Sequence, residues 1–179
     1  MTSSSSKSSE TNYYKIIFLG SRGVGKTSII RRILNLEIDT EYQPTIGVRF
    51  HNLEITSDKN LYLQLWDVSG NESYRELYPS FLKNATAVVL IFDYKNKESQ
   101  VEFKQLYETV IEHISPTQIL LVGNNGGGEI KEIPKILDSW AKKLNLVILP
   151  LSVQENTGHS LLLQNILEII QRKPLDQEN

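Results

Sequence analysis

The chain contains the run Gly20-Ser21-Arg22-Gly23-Val24-Gly25-Lys26-Thr27, and this run determines how the sequence on either side of it is interpreted. An apolar segment over 14–19 precedes it and is typical of a buried strand, while the segment over 28–34 favours a helix. A strand, a glycine-rich turn and a helix in this order form the context that a phosphate-binding P-loop requires. Glycines let consecutive backbone N–H groups point at a phosphate, and the helix N-terminus adds a dipole that favours an anion.

Two side chains at the end of the run have expected roles of their own. We expect Lys26 to reach the β- and γ-phosphates of a nucleotide and the Thr27 hydroxyl to bind Mg²⁺. The residues that we expect to contact the nucleotide in this region are Gly20, Arg22, Gly23, Val24, Gly25, Lys26, Thr27 and Ser28. The motif predicts a phosphate site, and it identifies neither the base nor the reaction.

Composition excludes several classes of protein. The net charge of −2 provides no basic surface, so we expect no nucleic-acid partner. The chain has no cysteine, which excludes disulfides, thiolate zinc sites and thioether or thioester lipids, and we therefore expect no direct lipid anchor. The N-terminal residues lack the apolar segment of a secretory signal, so we expect a cytoplasmic protein whose membrane association, if any, occurs through partners.

Strands alternate with helices along the chain, which predicts an α/β fold. We expect a Ser-rich disordered tail over 1–11, one domain over 12–173 and a short tail over 174–179. A turn at 58–60 separates two alternating segments and predicts an antiparallel hairpin. The predicted strands cover 13–19, 48–55, 61–66, 85–92, 119–123 and 146–151, and the predicted helices cover 28–34, 72–82, 99–114, 136–144 and 158–172. The sheet is therefore expected to be six-stranded and mostly parallel, with helices on both faces.

Apolar positions within these elements predict which faces are buried. In the strand over 48–55 the inward residues are expected to be Val48, Phe50, Leu53 and Ile55. On the helix over 99–114 they are expected to be Val101, Leu106, Val110 and Ile114. On the last helix they are expected to be Leu161, Leu162, Ile166, Ile169 and Ile170.

Four further segments place polar residues where open α/β sheets bind ligands, after the carboxyl ends of strands or beside them. They contain Thr45, the pair Asp67 and Gly70, Asn124, and Ser152. With the P-loop, their order and spacing over residues 13–172 resemble the Ras superfamily of small GTPases, and the Rab branch in particular. The Rab-like features are the runs Ile46-Gly47-Val48-x-Phe50 and Trp66-Asp67-x-x-Gly70.

The resemblance implies a P-loop small-GTPase fold that binds GTP or GDP with Mg²⁺. It implies that Thr45 is the switch I threonine, which binds Mg²⁺ and the γ-phosphate. It implies that Asp67 holds Mg²⁺ through water and that the Gly70 N–H binds the γ-phosphate. The implied metal ligands are therefore Thr27, Thr45 and Asp67. Such contacts exist only with the triphosphate, which is how these loops order and release.

The same resemblance implies protein partners. Effectors are expected to bind the switch regions Thr45–Phe50 and Trp66–Phe81, and an exchange factor is a further expected partner. Phe50, Trp66 and Phe81 occupy the positions of an aromatic triad that contacts partners in Rab proteins, and the alternative is that they pack within the core of the hairpin. A P-loop kinase or ATPase is less favoured, because the chain shows no acceptor-site or lid segment.

Two departures from the family pattern concern hydrolysis. Asn71 stands where the family has the glutamine that positions the attacking water, and it is one methylene shorter. Arg22 stands at the P-loop position next to the γ-phosphate. Its long side chain is expected to crowd the catalytic residue and a partner's arginine, although it could instead stabilise the transition state itself. The expected catalytic positions are therefore Asn71 and Arg22, and hydrolysis is expected to be slow.

Two further departures concern the base. The family's Asn-Lys-x-Asp motif is Asn124-Asn125-Gly126-Gly127 here, so the lysine and the guanine-binding aspartate are both replaced. Glu129 could substitute for the aspartate if the glycines fold the loop back. The remaining base-contact loop is Ser152-Val153-Gln154, where the Val153 N–H is expected to reach the guanine O6. The nucleotide-binding residues implied on this side are Asn124, Asn125, Ser152, Val153 and Gln154.

Two functions remain open on the sequence. The first is a Rab-like GTP-binding switch with slow hydrolysis, acting in vesicle trafficking or signalling. The second is a pseudo-GTPase, an interaction module whose nucleotide binding is weak or unselective. Lys26, Thr27, Thr45, Asp67 and Gly70 favour the first, and the missing aspartate at position 127 favours the second.

Overall fold

A computed structural model of the chain describes residues 11–39, 41–56, 60–127 and 132–172. Predictions for the N-terminal tail through residue 10, the turn residues 58 and 59, Glu129 and the tail over 174–179 lie outside these residues. The division into one domain over 12–173 with two tails stays a prediction.

The described residues form a six-stranded sheet with the strand order β2-β3-β1-β4-β5-β6. Only β2 and β3 pair antiparallel, and the other neighbours are parallel. The strands are β1 (Asn12–Leu19), β2 (Val48–Glu54), β3 (Leu61–Val68), β4 (Ala87–Asp93), β5 (Ile119–Asn124) and β6 (Ile148–Leu151). The predicted α/β fold with one antiparallel hairpin is confirmed.

Five α-helices and two short 3₁₀ segments connect the described strands. The helices are α1 (Lys26–Ile33), α2 (Tyr78–Leu82), α3 (Lys97–Ile111), α4 (Lys135–Lys143) and α5 (His159–Arg172). The 3₁₀ segments cover Glu72–Leu77 and Pro116–Gln118. The predicted helix over 72–82 is thus two short pieces, and Pro79 lies in the first turn of the second, where its missing N–H costs no helical hydrogen bond. No helix among these residues is long and apolar enough to cross a bilayer.

The sheet has a hydrophobic core on each face. One core packs against α1 and α5, including Ile29, Ile30, Leu162 and Ile166. The other packs against α2, α3 and α4, including Leu82, Phe103, Val110 and Leu137. The central strand β4 is buried on both sides, from Ala87 to Phe92, which explains its unbroken apolar sequence.

Of the residues predicted to point inward from the strand over 48–55, Phe50 was wrong. Phe50 is 63% exposed, and it pairs with Trp66 of β3 on the face opposite to Leu53 and Ile55. Successive side chains of a strand point to opposite faces, so positions 48 and 50 cannot share a face with positions 53 and 55. Ile55 is buried and Leu53 packs against the α1/α5 core, whereas Val48 packs against the other core.

Two predicted helix positions were also wrong. Val101 on α3 is 56% exposed, because the buried face consists of Ser99, Gln100, Phe103, Tyr107 and Val110. Leu161 on α5 is 46% exposed, whereas Leu162, Ile166, Ile169 and Ile170 are buried as predicted. In each case the residue that was wrongly predicted lies next to the buried face of the helix, whose positions recur every 3.6 residues.

His159 begins α5 and is buried with neither ring nitrogen hydrogen-bonded. Burial lowers the pKa of His159, and the nearby Arg32 charge lowers it further. The unfolded chain therefore binds a proton near pH 6.5 that the folded protein takes up only at lower pH. We expect the free energy of unfolding to fall as the pH drops below 6.5, by at most about 1.4 kcal/mol per pH unit from this group.

Urea unfolding of His159→Gln between pH 5 and 7.5 tests this expectation, with the exposed His113→Gln as the matched control. The His159 variant should show a shallower loss of stability with acid than the original protein. Equal slopes in the variant and the original protein would show that the pKa of His159 is the same in the folded and unfolded states.

Candidate nucleotide-binding site

A cavity of about 400 Å³ lies at the carboxyl edge of the sheet. Its walls are the P-loop, the first turn of α1, the segment before β2 and the segment after β3. The residues that line it include Arg22, Gly23, Gly25, Lys26, Thr27, Ser28, Tyr42, Thr45, Gly70 and Asn71. The structure therefore brings most of the predicted P-loop residues together with Thr45 and Gly70 around one space. The predicted residues that do not line it are Gly20, Val24, Asp67, Asn124, Asn125, Ser152, Val153 and Gln154.

The P-loop conformation depends on glycine at position 25. Gly25 has φ 96°, in the left-handed region, and a Cβ there would overlap the side-chain amide nitrogen of Asn124. That amide donates to the Val24 carbonyl over 2.9 Å. Asn124, at the end of β5, thus holds the phosphate loop in place from the side where the base is expected.

Lys26 is buried inside the P-loop, with 6% of its surface exposed. Its Nζ donates to the carbonyl oxygens of Gly20 and Ser21, each over 2.8 Å. Burial lowers the pKa of Lys26 to about 8, although the charges of Asp67 and Glu102 oppose the shift. A polyphosphate in the cavity would stabilise the charged ammonium, because an anion close by favours protonation.

Three oxygen-bearing side chains converge beside Lys26. The Thr27 hydroxyl donates to Asp67 Oδ2 over 2.6 Å, and the Thr27 and Thr45 hydroxyls lie 3.1 Å apart. Thr45 also donates to Asp67 Oδ2, over 3.4 Å. Asp67 is fully buried, and its Oδ1 has no hydrogen-bond partner. Hydroxyl and carboxylate oxygens are the ligands that Mg²⁺ prefers, and the unpaired buried oxygen fits a site that a cation completes.

The segment after β3 packs directly on the P-loop. A Cβ on Gly70 would lie 2.5 Å from the Arg22 nitrogen and from the Ser21 carbonyl carbon, so only glycine allows this approach. The Asn71 side chain lies beside the cavity, where its Oδ1 accepts from the Ser73 N–H over 3.1 Å. Asn71 is therefore the N-cap of the 3₁₀ segment Glu72–Leu77, which adds a structural role to its expected catalytic one.

Arg22 contacts a residue for which the sequence predicted no role. Its Nε donates to the Tyr42 hydroxyl over 3.3 Å, and its guanidinium lies 5.8 Å from the centre of the Tyr42 ring. Tyr42 belongs to the segment before β2, so this contact connects the P-loop to that segment across the cavity. No local pattern around Tyr42 signals it, because the two residues meet only when the segment folds over the P-loop.

Glu102 on α3 is a second residue that sequence reasoning missed. It accepts from the Ser21 hydroxyl over 2.5 Å and from Arg75 Nη2 over 2.9 Å. Ser21 belongs to the P-loop and Arg75 to the 3₁₀ segment Glu72–Leu77. One carboxylate thus connects the phosphate loop to the segment where switch II is expected. A lone glutamate on a helix gives no sequence signal of such a connection.

The loops expected to bind the base are held together by hydrogen bonds. The Asn125 N–H donates to the Leu151 carbonyl over 2.7 Å, and the Ser152 hydroxyl donates to the Asn125 carbonyl over 2.9 Å. The Val153 N–H, which we expected to reach a base, donates to Asn124 Oδ1 over 3.4 Å. Gln154 follows on the exposed side of this loop.

The three aromatic residues of the predicted triad lie together. The rings of Phe50 and Trp66 meet edge-on with centroids 4.6 Å apart, and those of Trp66 and Phe81 are 6.3 Å apart. Trp66 and Phe81 pack against the core on the α3 face, and Lys15 covers the Trp66 ring at 3.8 Å. Phe50 stays exposed, so the cluster combines core packing with an accessible edge.

A sheet of this order, a P-loop that leads into α1, and Thr45 with Asp67 against Thr27 define the class of P-loop small GTPases. Residues 15–126 match the family described as "Roc: Ras of Complex, Roc, domain of DAPkinase". The match spans more than half of the 179 residues, and the chain belongs to this family of Ras-superfamily GTPase domains. The matched segment includes the P-loop, Thr45, Asp67 and Asn124, and ends one residue before Gly127.

Proposed function

We propose that the protein is a Rab-like nucleotide-dependent switch that binds GTP and GDP with Mg²⁺ and hydrolyses GTP slowly. The observation that carries this proposal is the convergence of Thr27, Thr45 and Asp67 on one point beside the buried Lys26. Membership of a GTPase family supports the guanine nucleotide and the metal. The P-loop would hold the phosphates, and Thr27, Thr45 and Asp67 would hold Mg²⁺, which neutralises charge on phosphate oxygens.

The switching property is supported by the origin of these residues in separate segments. Thr45 comes from the segment before β2 and Gly70 from the segment after β3, and both line the cavity. A γ-phosphate would give both segments a common partner, so its loss would release them. The two segments would then present a different surface to partners in each nucleotide state.

Slow hydrolysis is supported by the contacts of Asn71 and Arg22. The Asn71 side chain is engaged in capping, and its short amide leaves the orientation of an attacking water to other groups. Arg22 is held by Tyr42 at the cavity mouth, where a partner's arginine would have to enter. This geometry favours crowding over a built-in catalytic role for Arg22.

Partner binding is assigned to the switch regions Thr45–Phe50 and Trp66–Phe81. Support comes from the exposed Phe50 beside Trp66, which gives an effector an aromatic edge to contact. The same proposal includes a domain over 12–173 and a cytoplasmic location. A role in vesicle trafficking or signalling is part of it as well, and is supported by the resemblance to Rab proteins.

A pseudo-GTPase is the second candidate function, and Gly127 is the observation that favours it. No side chain at this position can accept hydrogen bonds from guanine, and the Gly127 carbonyl is taken by Lys95 Nζ over 3.1 Å. An interaction module of this kind would keep the fold and the aromatic cluster while nucleotide binding became weak.

Extraction of nucleotide from freshly purified protein distinguishes the two. For a switch, we expect close to one molecule of nucleotide per chain, with the diphosphate or triphosphate identified by chromatography, and we expect EDTA to release it. Protein that carries no nucleotide and takes up none when Mg²⁺ and GDP are added would favour the interaction module.

A further inference from the structure

The loops expected to bind the base are hydrogen-bonded to each other and to the P-loop, although glycine stands at position 127, where the family has an aspartate. Asn124 still binds the P-loop through Val24 and still faces the Val153 N–H. The segments around positions 124–127 and 151–153 are therefore held next to each other and next to the P-loop. A base bound there would meet a different set of polar groups from the Asn-Lys-x-Asp pattern.

The Gln154 side chain occupies the space that a side chain at position 127 would enter. A Cβ on Gly127 would overlap the Gln154 amide oxygen and would lie 2.7 Å from its Cδ. Gly127 has φ 117°, which strains any L side chain, and Lys95 holds its carbonyl over 3.1 Å. The backbone thus disfavours an aspartate at 127, and the neutral amide of the exposed Gln154 lies where that side chain would begin.

A carboxylate and an amide present different atoms to a purine. An ionised carboxylate only accepts hydrogen bonds, and this matches the N1–H and 2-amino donors of guanine. An amide presents one accepting oxygen and one donating nitrogen side by side. That pair matches the donor and acceptor on the edge of adenine, and it can also accept one hydrogen bond from guanine.

We propose that Gln154 is the base-reading residue of this site and that its neutral amide admits both guanine and adenine nucleotides. The inference rests on the proposed function, since it requires the phosphates to bind the P-loop. It assigns the substrate class as purine nucleotides and makes the guanine 2-amino group nearly irrelevant to affinity.

Equilibrium competition of GDP, IDP and ADP against a fluorescent nucleotide, with Mg²⁺ present, tests the assignment. IDP lacks the 2-amino group of guanine. In the original protein we expect IDP to bind within about threefold of GDP, and ADP within about tenfold, since a single neutral hydrogen bond separates them. Gln154→Glu returns a carboxylate to the same place and is expected to raise the GDP preference over ADP and IDP by about tenfold or more.

Two further variants complete the design. Gln154→Ala should weaken GDP by a factor of about three to ten and ADP by at least as much, because guanine loses one hydrogen bond and adenine loses two. Gln164→Glu makes the same chemical change on the exposed side of α5 and should leave every ratio unchanged. Thermal unfolding of each variant verifies that it is folded.

The outcomes separate this inference from the function on which it rests. A thousandfold preference for GDP over ADP in the original protein overturns the inference. It is also overturned if the Gln154→Glu variant binds nucleotide with the same relative affinities for GDP, IDP and ADP as the original protein. If none of the three nucleotides binds the original protein, the proposed function fails and the assignment of Gln154 fails with it.

Discussion

Replacing Lys26 with alanine is expected to abolish retention of nucleotide through gel filtration. Lys26 is the buried cation of the cavity, and its ammonium is held by the carbonyl oxygens of Gly20 and Ser21. Hydrogen bonds from a charged group to phosphate contribute about 1.5–3 kcal/mol each, so the loss of two lowers affinity by at least about a hundredfold. Fluorescence of a bound nucleotide analogue before and after filtration measures the effect.

A matched control removes a lysine that lies outside the proposed nucleotide site. Lys143→Ala deletes the same charge from the exposed end of α4 and should retain nucleotide as the original protein does. Because Lys26→Ala also leaves two carbonyl groups without a partner, its melting temperature must be compared with that of the original. Full retention by a folded Lys26→Ala protein would mean that the P-loop is not the phosphate site.

Hydrolysis is expected to accelerate when both unusual residues of the catalytic region are changed. Each 1.36 kcal/mol removed from the barrier raises the rate tenfold, and a water left unoriented raises the barrier. We expect Asn71→Gln with Arg22→Gly to hydrolyse bound GTP at least about tenfold faster than the original protein. The two changes act on one step, so the single variants need not sum to the double one. Single-turnover release of phosphate measures all four proteins.

The contact between Arg22 and Tyr42 provides a separate test of crowding. Tyr42→Phe removes the hydroxyl that accepts from Arg22 and should move the rate in the same direction as Arg22→Gly, by a smaller factor. Tyr13→Phe changes an exposed tyrosine of β1 and should have no effect. Asn71→Gln removes an N-cap, which costs about 1 kcal/mol, so its stability must be measured alongside.

One result would reverse the role assigned to Arg22. If the original protein hydrolyses GTP quickly and the rate falls in Arg22→Gly, then the guanidinium stabilises the transition state. Arg22 would then serve as an arginine finger supplied by the chain itself, and the protein would be an active enzyme.

The elements of the fold could be predicted because each has a local signal. The apolar run before Gly20 predicts β1, and the continuous apolar run at 85–92 predicts a strand buried on both faces. The faces were harder to predict, because apolar content alone does not indicate which side of an edge strand is covered. Phe50 is apolar and exposed, and only the two-residue period of the strand separates it from Leu53.

The site could be predicted only where its residues belong to contiguous motifs. Lys26, Thr27 and Asp67 lie in short motifs that can be recognised in the sequence, and the structure brings them together. The contact of Arg22 with Tyr42, and the position of Gln154 over Gly127, depend on loop paths and side-chain rotamers between distant segments. No period or spacing in the sequence encodes such contacts.

The carboxylate of Glu102 has a consequence for any partner that pulls on the 3₁₀ segment Glu72–Leu77. Arg75 neutralises this carboxylate, which lies close enough to Lys26 to affect the lysine's pKa. A partner that drew Arg75 away would leave the Glu102 carboxylate without this cation, next to the P-loop residue Ser21. Because like charges repel, that carboxylate would weaken the binding of an anion beside Lys26. A partner that binds the 3₁₀ segment Glu72–Leu77 would in this way lower the affinity for nucleotide without touching it.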